Sequence, residues 1–211
     1  MPVSFWGWCQ SRLHLSFGGA LWEKSQRMKA VYRSLDQATA RFKSASGLNC
    51  PSPCGLCCLH STVEASELEM LPAAFALARV GKVDEWYDRA KAGGFTGLCV
   101  FFSKEQSGGQ CLFYEYRPLV CRLFGYAGNK DKHERPRLVT CRVFKEIRPV
   151  QTELVLEKVG KGTIVPPMMS DFVMRAAMVD PAMTRESYPV NLALKKALER
   201  VSINQRFNRK T

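Results

Sequence analysis

Cys50-Pro-Ser-Pro-Cys54-Gly-Leu-Cys57-Cys58 places four cysteines within nine residues of a 211-residue chain. Pro51 and Pro53 fix φ in advance and withhold two backbone donors, so the stretch reads as a stiff loop rather than a helix. Such a loop presents several thiols in one direction before any tertiary contact forms. The C-x2-C spacing of Cys54 and Cys57 lets two thiolates reach one ion while the intervening amides turn toward the sulfurs. Cys57 and Cys58 are neighbours whose side chains are expected to diverge, leaving one of them to bind a second ion or to bridge. Cys99, Cys111, Cys121 and Cys141 bring the set to eight, with only Cys9 left over. This is the pattern of a metal–thiolate protein.

The length suits one domain, or one domain with an appendage. With 46% hydrophobic and 24% charged residues the composition is that of an ordinary globular protein. No apolar run approaches the roughly 18–20 residues of a membrane span. At the N-terminus Trp6, Trp8 and Phe17 are interrupted by Gln10, Arg12 and His14, so no export signal is expected. A cytoplasmic, reducing setting follows, where clustered cysteines bind metal more often than they pair as disulfides.

The net charge of +12 is not by itself a nucleic-acid signal. Lys195–Thr211 holds six basic residues against Glu199. Eight thiolates on two divalent ions would carry four negative charges, so part of the basic excess balances the site itself.

Residues 1–27 lack a clear period and are expected either to form a loose arm or to lie upstream of a true start at Met28. Residues 28–211 then form a single domain with a cysteine-rich core over 48–142 and a helical part over 150–211. Met28, Val31, Tyr32, Leu35, Ala38 and Phe42 recur at helical spacing within a helix from about Trp22 to Ser46, stopped by Gly47. Ser66-Glu67-Leu68-Glu69 has the form of a capping box, opening a helix to Val80 with a break or restart at Pro72. A shorter helix over Val83–Ala92 closes at Gly93-Gly94. Leu98–Phe102 and Cys111–Tyr114 are rich in strand formers and predict a small hairpin that brings Cys99 near Cys111. Residues 128–137 read as a charged loop. Met168–Val179 and Leu192–Val201 read as helices. The fold class is mainly α with a small β-hairpin, its irregular cysteine-rich metal-binding core flanked by helices.

The full spacing is C-x3-C-x2-C-C, then forty residues, then C-x11-C-x9-C-x19-C. The third group stands in Cys111-Leu-Phe-Tyr114-Glu115-Tyr-Arg117-Pro118-Leu-Val-Cys121-Arg122. This resembles the bacterial cysteine-cluster proteins described as zinc- or iron-chelating domains, of the CxxCxxCC type. Members carry an early C-x-x-C-C and a later C-x-x-Y-E-x-R-P-x-x-C-R, and both are present here between about Leu48 and Arg142.

The resemblance implies that Cys50, Cys54, Cys57, Cys58, Cys99, Cys111, Cys121 and Cys141 are the metal ligands. Soft thiolates select zinc, copper(I) or iron–sulfur clusters over hard cations. Two ions could take four cysteines each, or one cluster could take four and leave the rest structural. Around Cys121 stand Tyr114, Glu115, Arg117 and Arg122. The two arginines are expected to offset thiolate charge, and Glu115 with an arginine to pin the loop by a salt bridge. His60 is close enough in sequence to substitute as a ligand, but eight thiolates already suffice for two tetrahedral sites.

The function implied is non-enzymatic chelation of zinc or iron. No Ser/His/Asp set or H-E-x-x-H stands out. An alternative is an iron–sulfur enzyme, because Cys50-x3-Cys54-x2-Cys57 has the spacing by which radical S-adenosylmethionine enzymes hold their cluster, and flagellin lysine methylases look similar to the cysteine-cluster family. Against it, a helix precedes the motif and no repeating βα pattern follows. A third possibility is a zinc module that binds nucleic acid through the basic tail. Beyond metal ions, no partner is indicated.

Overall fold

The computed structural model describes residues 17–51, 54–60, 63–94, 97–105 and 109–208, with side chains as far as residue 204. Cys9, His14, most of the expected N-terminal arm and the end of the basic tail lie outside the described residues.

Helix α1 (Ala20–Ser46) carries Leu21, Met28, Val31, Tyr32, Leu35 and Phe42 on one buried stripe. It begins upstream of Met28, and Trp22 packs edge-on against Phe75 at 5.0 Å. Gly47 ends it in the left-handed region at φ 69°, its amide returning to Lys43 O at 2.8 Å. That conformation costs glycine little and a side chain more, so the chain turns sharply here. Leu48, fully buried, then anchors the entry to the Cys50 loop.

Helix α2 (Glu67–Arg79) opens with the predicted capping box. The Ser66 side chain accepts from the Glu69 amide, and the Glu69 carboxylate accepts from the Ser66 amide at 2.8 Å. The helix passes through Pro72 without a break. Leu68, Met70, Leu71, Ala73, Ala74, Phe75, Leu77 and Ala78 are all buried, so it is apolar nearly all round, as a central helix must be. It lies between α1 and the C-terminal helix α9 (Val190–Asn208), with α3 (Val83–Gly93) also against α9. The buried face of α9 is Val190, Ala193, Leu194, Ala197, Leu198 and Val201, a strict helical repeat.

Three antiparallel strand pairs complete the frame. Strand β1 (Glu64–Ser66) pairs with β6 (Ser187–Pro189), tying the start of α2 to the start of α9. Strand β2 (Phe102–Ser103) pairs with β3 (Gln110–Cys111), the predicted hairpin in shortened form. Strand β4 (Ala127–Lys130) pairs with β5 (Pro136–Val139) where a charged loop was expected. A charged tip hides the hairpin, since Asp131 accepts from the backbone of His133 and Arg135 and so closes the turn. The rest is helical: α4 (Leu119–Leu123), α5 (Arg142–Ile147), α6 (Pro149–Gly160), α7 (Met169–Ala177) and α8 (Pro181–Thr184). The described residues are thus mostly helical with small strand pairs, and form no barrel.

Two apolar clusters result. The larger gathers α1, α2, α3, α9 and the aromatic trio Trp86, Phe101 and Phe113. The smaller gathers Phe42, Leu48, Tyr126, Leu138, Phe144, Val155 and Val159. The cysteines lie between them. No helix among the described residues is long and apolar enough to cross a membrane.

Candidate metal centre

Five short segments deliver the thiols. A single 3₁₀ turn (Leu56–Leu59) carries Cys57 and Cys58, held by the Cys58 amide donating to Gly55 O at 2.9 Å. This turn packs on the β2–β3 hairpin at a point where there is no room for a side chain. A Cβ on Gly55 would stand 2.5 Å from the Phe102 ring and 2.8 Å from the carbonyl carbon of Gly109. Glycine at 55 is therefore what lets the cysteine turn meet the strand that bears Cys111.

Cys99 and Cys111 are anchored in the same way, each by an aromatic two residues later. Phe101 and Phe113 stack at 4.5 Å, and Trp86 closes on both at 5.1 and 5.0 Å. The Leu112 amide donates to Phe101 O at 2.7 Å, so the two cysteine segments are also joined through backbone. Sequence patterning misses a further holder. Asn191, buried at the start of α9, accepts from the Val100 amide at 3.0 Å and donates to Leu98 O at 3.1 Å. It thereby clamps the peptide on both sides of Cys99.

The outcome is a contact star. The buried Cys58 thiol lies close enough to the thiols of Cys111, Cys57 and Cys99 to interact with each of them. Within the turn the two neighbours differ in surroundings, Cys57 lining the cavity beside the thiols and Cys58 lying buried away from it. A second thiol contact joins Cys50 and Cys54, with Cys141 and Cys57 close enough to act on Cys50 electrostatically. The Cys50 amide donates to the Tyr126 hydroxyl at 2.9 Å, which fixes this group to the smaller cluster, where Cys141 also packs. Cys121, on α4, packs instead against the larger cluster beside Cys99 and Cys111.

These contacts set the acidities. Burial first, then Cys54, pushes the Cys50 thiol up to about 12. The Cys58 thiol is held protonated by its thiol neighbours, Cys111 first, and its single proton, shared among them, lowers Cys99 and Cys111. Cys57 falls to about 6, chiefly through the Cys58 hydrogen bond and against desolvation, with the Arg117 cation assisting. Burial raises Cys121.

The residues flanking Cys121 divide in their roles. Arg117 stacks on the exposed Tyr114 ring at 3.4 Å and donates to Tyr114 O at 3.2 Å. Its charge bears on Cys57, Cys111 and Cys121. Arg122 lines the same cavity but directs its guanidinium to partners within the fold. It meets Asp36 on α1 at 2.5 Å, donates to Arg117 O at 2.7 Å and to Glu115 O, and lies 4.2 Å over the Tyr32 ring. The ion pair expected between Glu115 and an arginine is replaced by this one, because Glu115 offers its backbone carbonyl and leaves its side chain exposed. Glu69 adds a link of its own, its Oε1 accepting from the Leu119 amide at 2.9 Å at the start of α4. Asp36, Tyr32 and Glu69 lie outside the motif, so spacing alone gives no signal for them.

A cavity of about 480 Å³ opens beside the thiols. Cys50, Cys54, Cys57, Cys121 and Cys141 line it, while Cys58, Cys99 and Cys111 do not. Its charged walls are Lys43, Arg117, Arg122 and Arg142, with no Asp or Glu among the described residues. His60 also reaches it, tilted against Phe124 at 5.7 Å. Among the described residues, no three Cys, His, Asp or Glu side chains already surround a single point as an ion would hold them.

Residues 49–142 match the CxxCxxCC family model, described as a "putative zinc- or iron-chelating domain". The match begins one residue before Cys50 and ends one after Cys141, so it takes in all eight cysteines. Neither the curated proteins nor the solved structures include a match.

The donor set fits that description. Soft sulfur donors from remote segments come together, cations stand beside them, and among the described residues no carboxylate lines the cavity. Among the described residues, a helix rather than a strand leads into Cys50, and no barrel is formed. The basic face of α9 is largely engaged within the fold. Lys195 pairs with Glu199 at 2.7 Å, Arg200 pairs with Glu67, and Lys196 lies 4.6 Å over the Tyr188 ring.

Proposed function

We propose that this protein is a cytoplasmic, non-enzymatic metal-binding protein that holds zinc or iron, the latter as an ion or an iron–sulfur cluster, through thiolates drawn from its eight clustered cysteines. The observation that carries the proposal is the meeting of Cys58 with Cys57, Cys99 and Cys111, thiols brought together from three separate segments. A bound ion would replace the shared protons, and Arg117 would offset the charge gained by the sulfurs.

Metal would also contribute folding energy. The cysteine segments contain only two-residue strands and single turns, which are marginal by themselves. Elemental analysis of reduced, anaerobically purified protein tests the proposal. Zinc or iron is expected at one or two per chain, with a broad absorption near ~400 nm if the iron forms a cluster. Cys58→Ser should lower both metal content and thermal stability. Metal content unchanged in that variant would overturn the ligand assignment.

A further inference from the structure

We infer that the cysteines form two centres of unequal access: a closed one at Cys57, Cys58, Cys99 and Cys111, and an open one at Cys50, Cys54 and Cys141 that completes and exchanges its ion through the cavity. This rests on the metal-binding function proposed above and adds to it a division of labour.

Three independent observations separate the two sets. The first is proximity. Cys58 lies near Cys57, Cys99 and Cys111, whereas Cys50 lies near Cys54, with Cys141 and Cys57 also acting on it electrostatically. The second is support. Cys99 and Cys111 pack on the larger apolar cluster, while Cys141 packs on the smaller one, to which the Cys50 amide is also tied through Tyr126. The third is access. Cys50, Cys54 and Cys141 all line the cavity and Cys50 is exposed, whereas Cys58 is buried and neither it nor Cys99 nor Cys111 reaches the cavity. Cys57 belongs to the closed set by proximity and touches the cavity wall, so it stands at the seam.

The chemistry follows from the donor count. Four thiolates around one ion fill a tetrahedral zinc site and leave no position for an incoming ligand. Three thiolates facing a cavity leave one position open. An ion there is approached by a competing donor without prior unfolding, and the cationic walls draw in anionic donors such as small-molecule thiolates or carboxylates. Cys121 lines the cavity but packs beside Cys99 and Cys111 on the larger cluster, so it is assigned to the closed side. The closed centre holds the fold together and the open centre hands its ion on.

The test is zinc transfer from the zinc-loaded, reduced full-length chain to the chromogenic chelator 4-(2-pyridylazo)resorcinol. Two phases of one zinc each are expected, the fast one at least about tenfold faster than the slow. The double variant Cys54→Ser/Cys141→Ser should lose the fast phase and keep the slow one with unchanged helical circular dichroism. Cys121→Ser should keep the fast phase. Alkylation of the unmutated zinc-loaded protein with N-ethylmaleimide gives an answer that needs no variant. Cys50, Cys54 and Cys141 should be modified before Cys58, Cys99 and Cys111. A single transfer phase, loss of the slow phase in the double variant, or modification of all six thiols together would overturn the division while leaving metal binding intact. A chain that takes up no zinc and no iron overturns both.

Discussion

Asn191 holds Cys99 without touching it. Its side-chain amide accepts from Val100 and donates to Leu98, at 3.0 and 3.1 Å, so the peptide on either side of the cysteine is fixed from the far end of the sequence. Asn191→Ala should leave two poorly solvated backbone groups unpaired, at a cost of about 2–3 kcal/mol in unfolding free energy. Because Cys99 then loses its position, metal content should fall along with stability. Chemical denaturation and elemental analysis of the same preparation check both. A destabilised variant with full metal content would show Asn191 to be structural only.

The link between Arg122 and Asp36 predicts unequal effects from its two ends. Arg122 is almost wholly buried, whereas the Asp36 side chain is 53% exposed. Removing the aspartate leaves Arg122 with two carbonyls and the Tyr32 ring, so Asp36→Ala should cost only about 1 kcal/mol. Arg122→Lys cannot reproduce the planar fork that serves Asp36, Arg117 O and Glu115 O together, and should cost about 2–3 kcal/mol. Thermal denaturation of the two variants side by side checks the order.

Gly55→Ala should separate the cysteine turn from the hairpin. The added methyl meets the backbone of Gly109 and Gln110 as well as the Phe102 ring, and backbone cannot rotate aside. Overpacking of this kind costs about 1–3 kcal/mol. It should also part Cys58 from Cys111, so zinc affinity should drop at least about tenfold, as it does when the surroundings of a metal ligand are disturbed. Competition against a chelator of known affinity reads this directly.

Alkylation of the metal-free, reduced protein sets ionisation against exposure. Cys50 is the more exposed thiol, yet burial of its surroundings and Cys54 push it up to about 12. Cys57 is lowered to about 6, first by the Cys58 hydrogen bond. A thiol depressed below its ordinary value gains charge as pH rises, and its contribution to stability is lost as pH falls through the folded value. Iodoacetamide should therefore modify Cys57 first at pH 7, with a rate that falls away below about pH 6. Cys50 reacting first would contradict the hydrogen-bonding pattern.

Local signals carried much of the fold into the sequence. The stripe on α1, the Gly47 stop and the Ser66–Glu69 capping box are each properties of a few adjacent residues, and each stands where expected. The β4–β5 hairpin was hidden because its turn is made by Asp131 among charged residues rather than by a glycine pair. The early cysteine cluster and the later motif named the thiols, but not how they group. Grouping depends on which apolar cluster each segment packs against, and that is decided by distant residues such as Tyr126, Phe101 and Asn191. The same holds for Arg122, whose carboxylate partner lies 86 positions away.

The most direct test of a thiolate-held metal is the intact mass of the reduced, anaerobically purified protein, taken under native and then under denaturing conditions. The native mass should exceed the denatured mass by one or two zinc or iron ions, or by a cluster, with the denatured chain carrying all of its thiol hydrogens. Equal masses, with the chain lighter by two hydrogens for each pair of cysteines, would mean that the thiols form disulfides and that the metal centre does not exist.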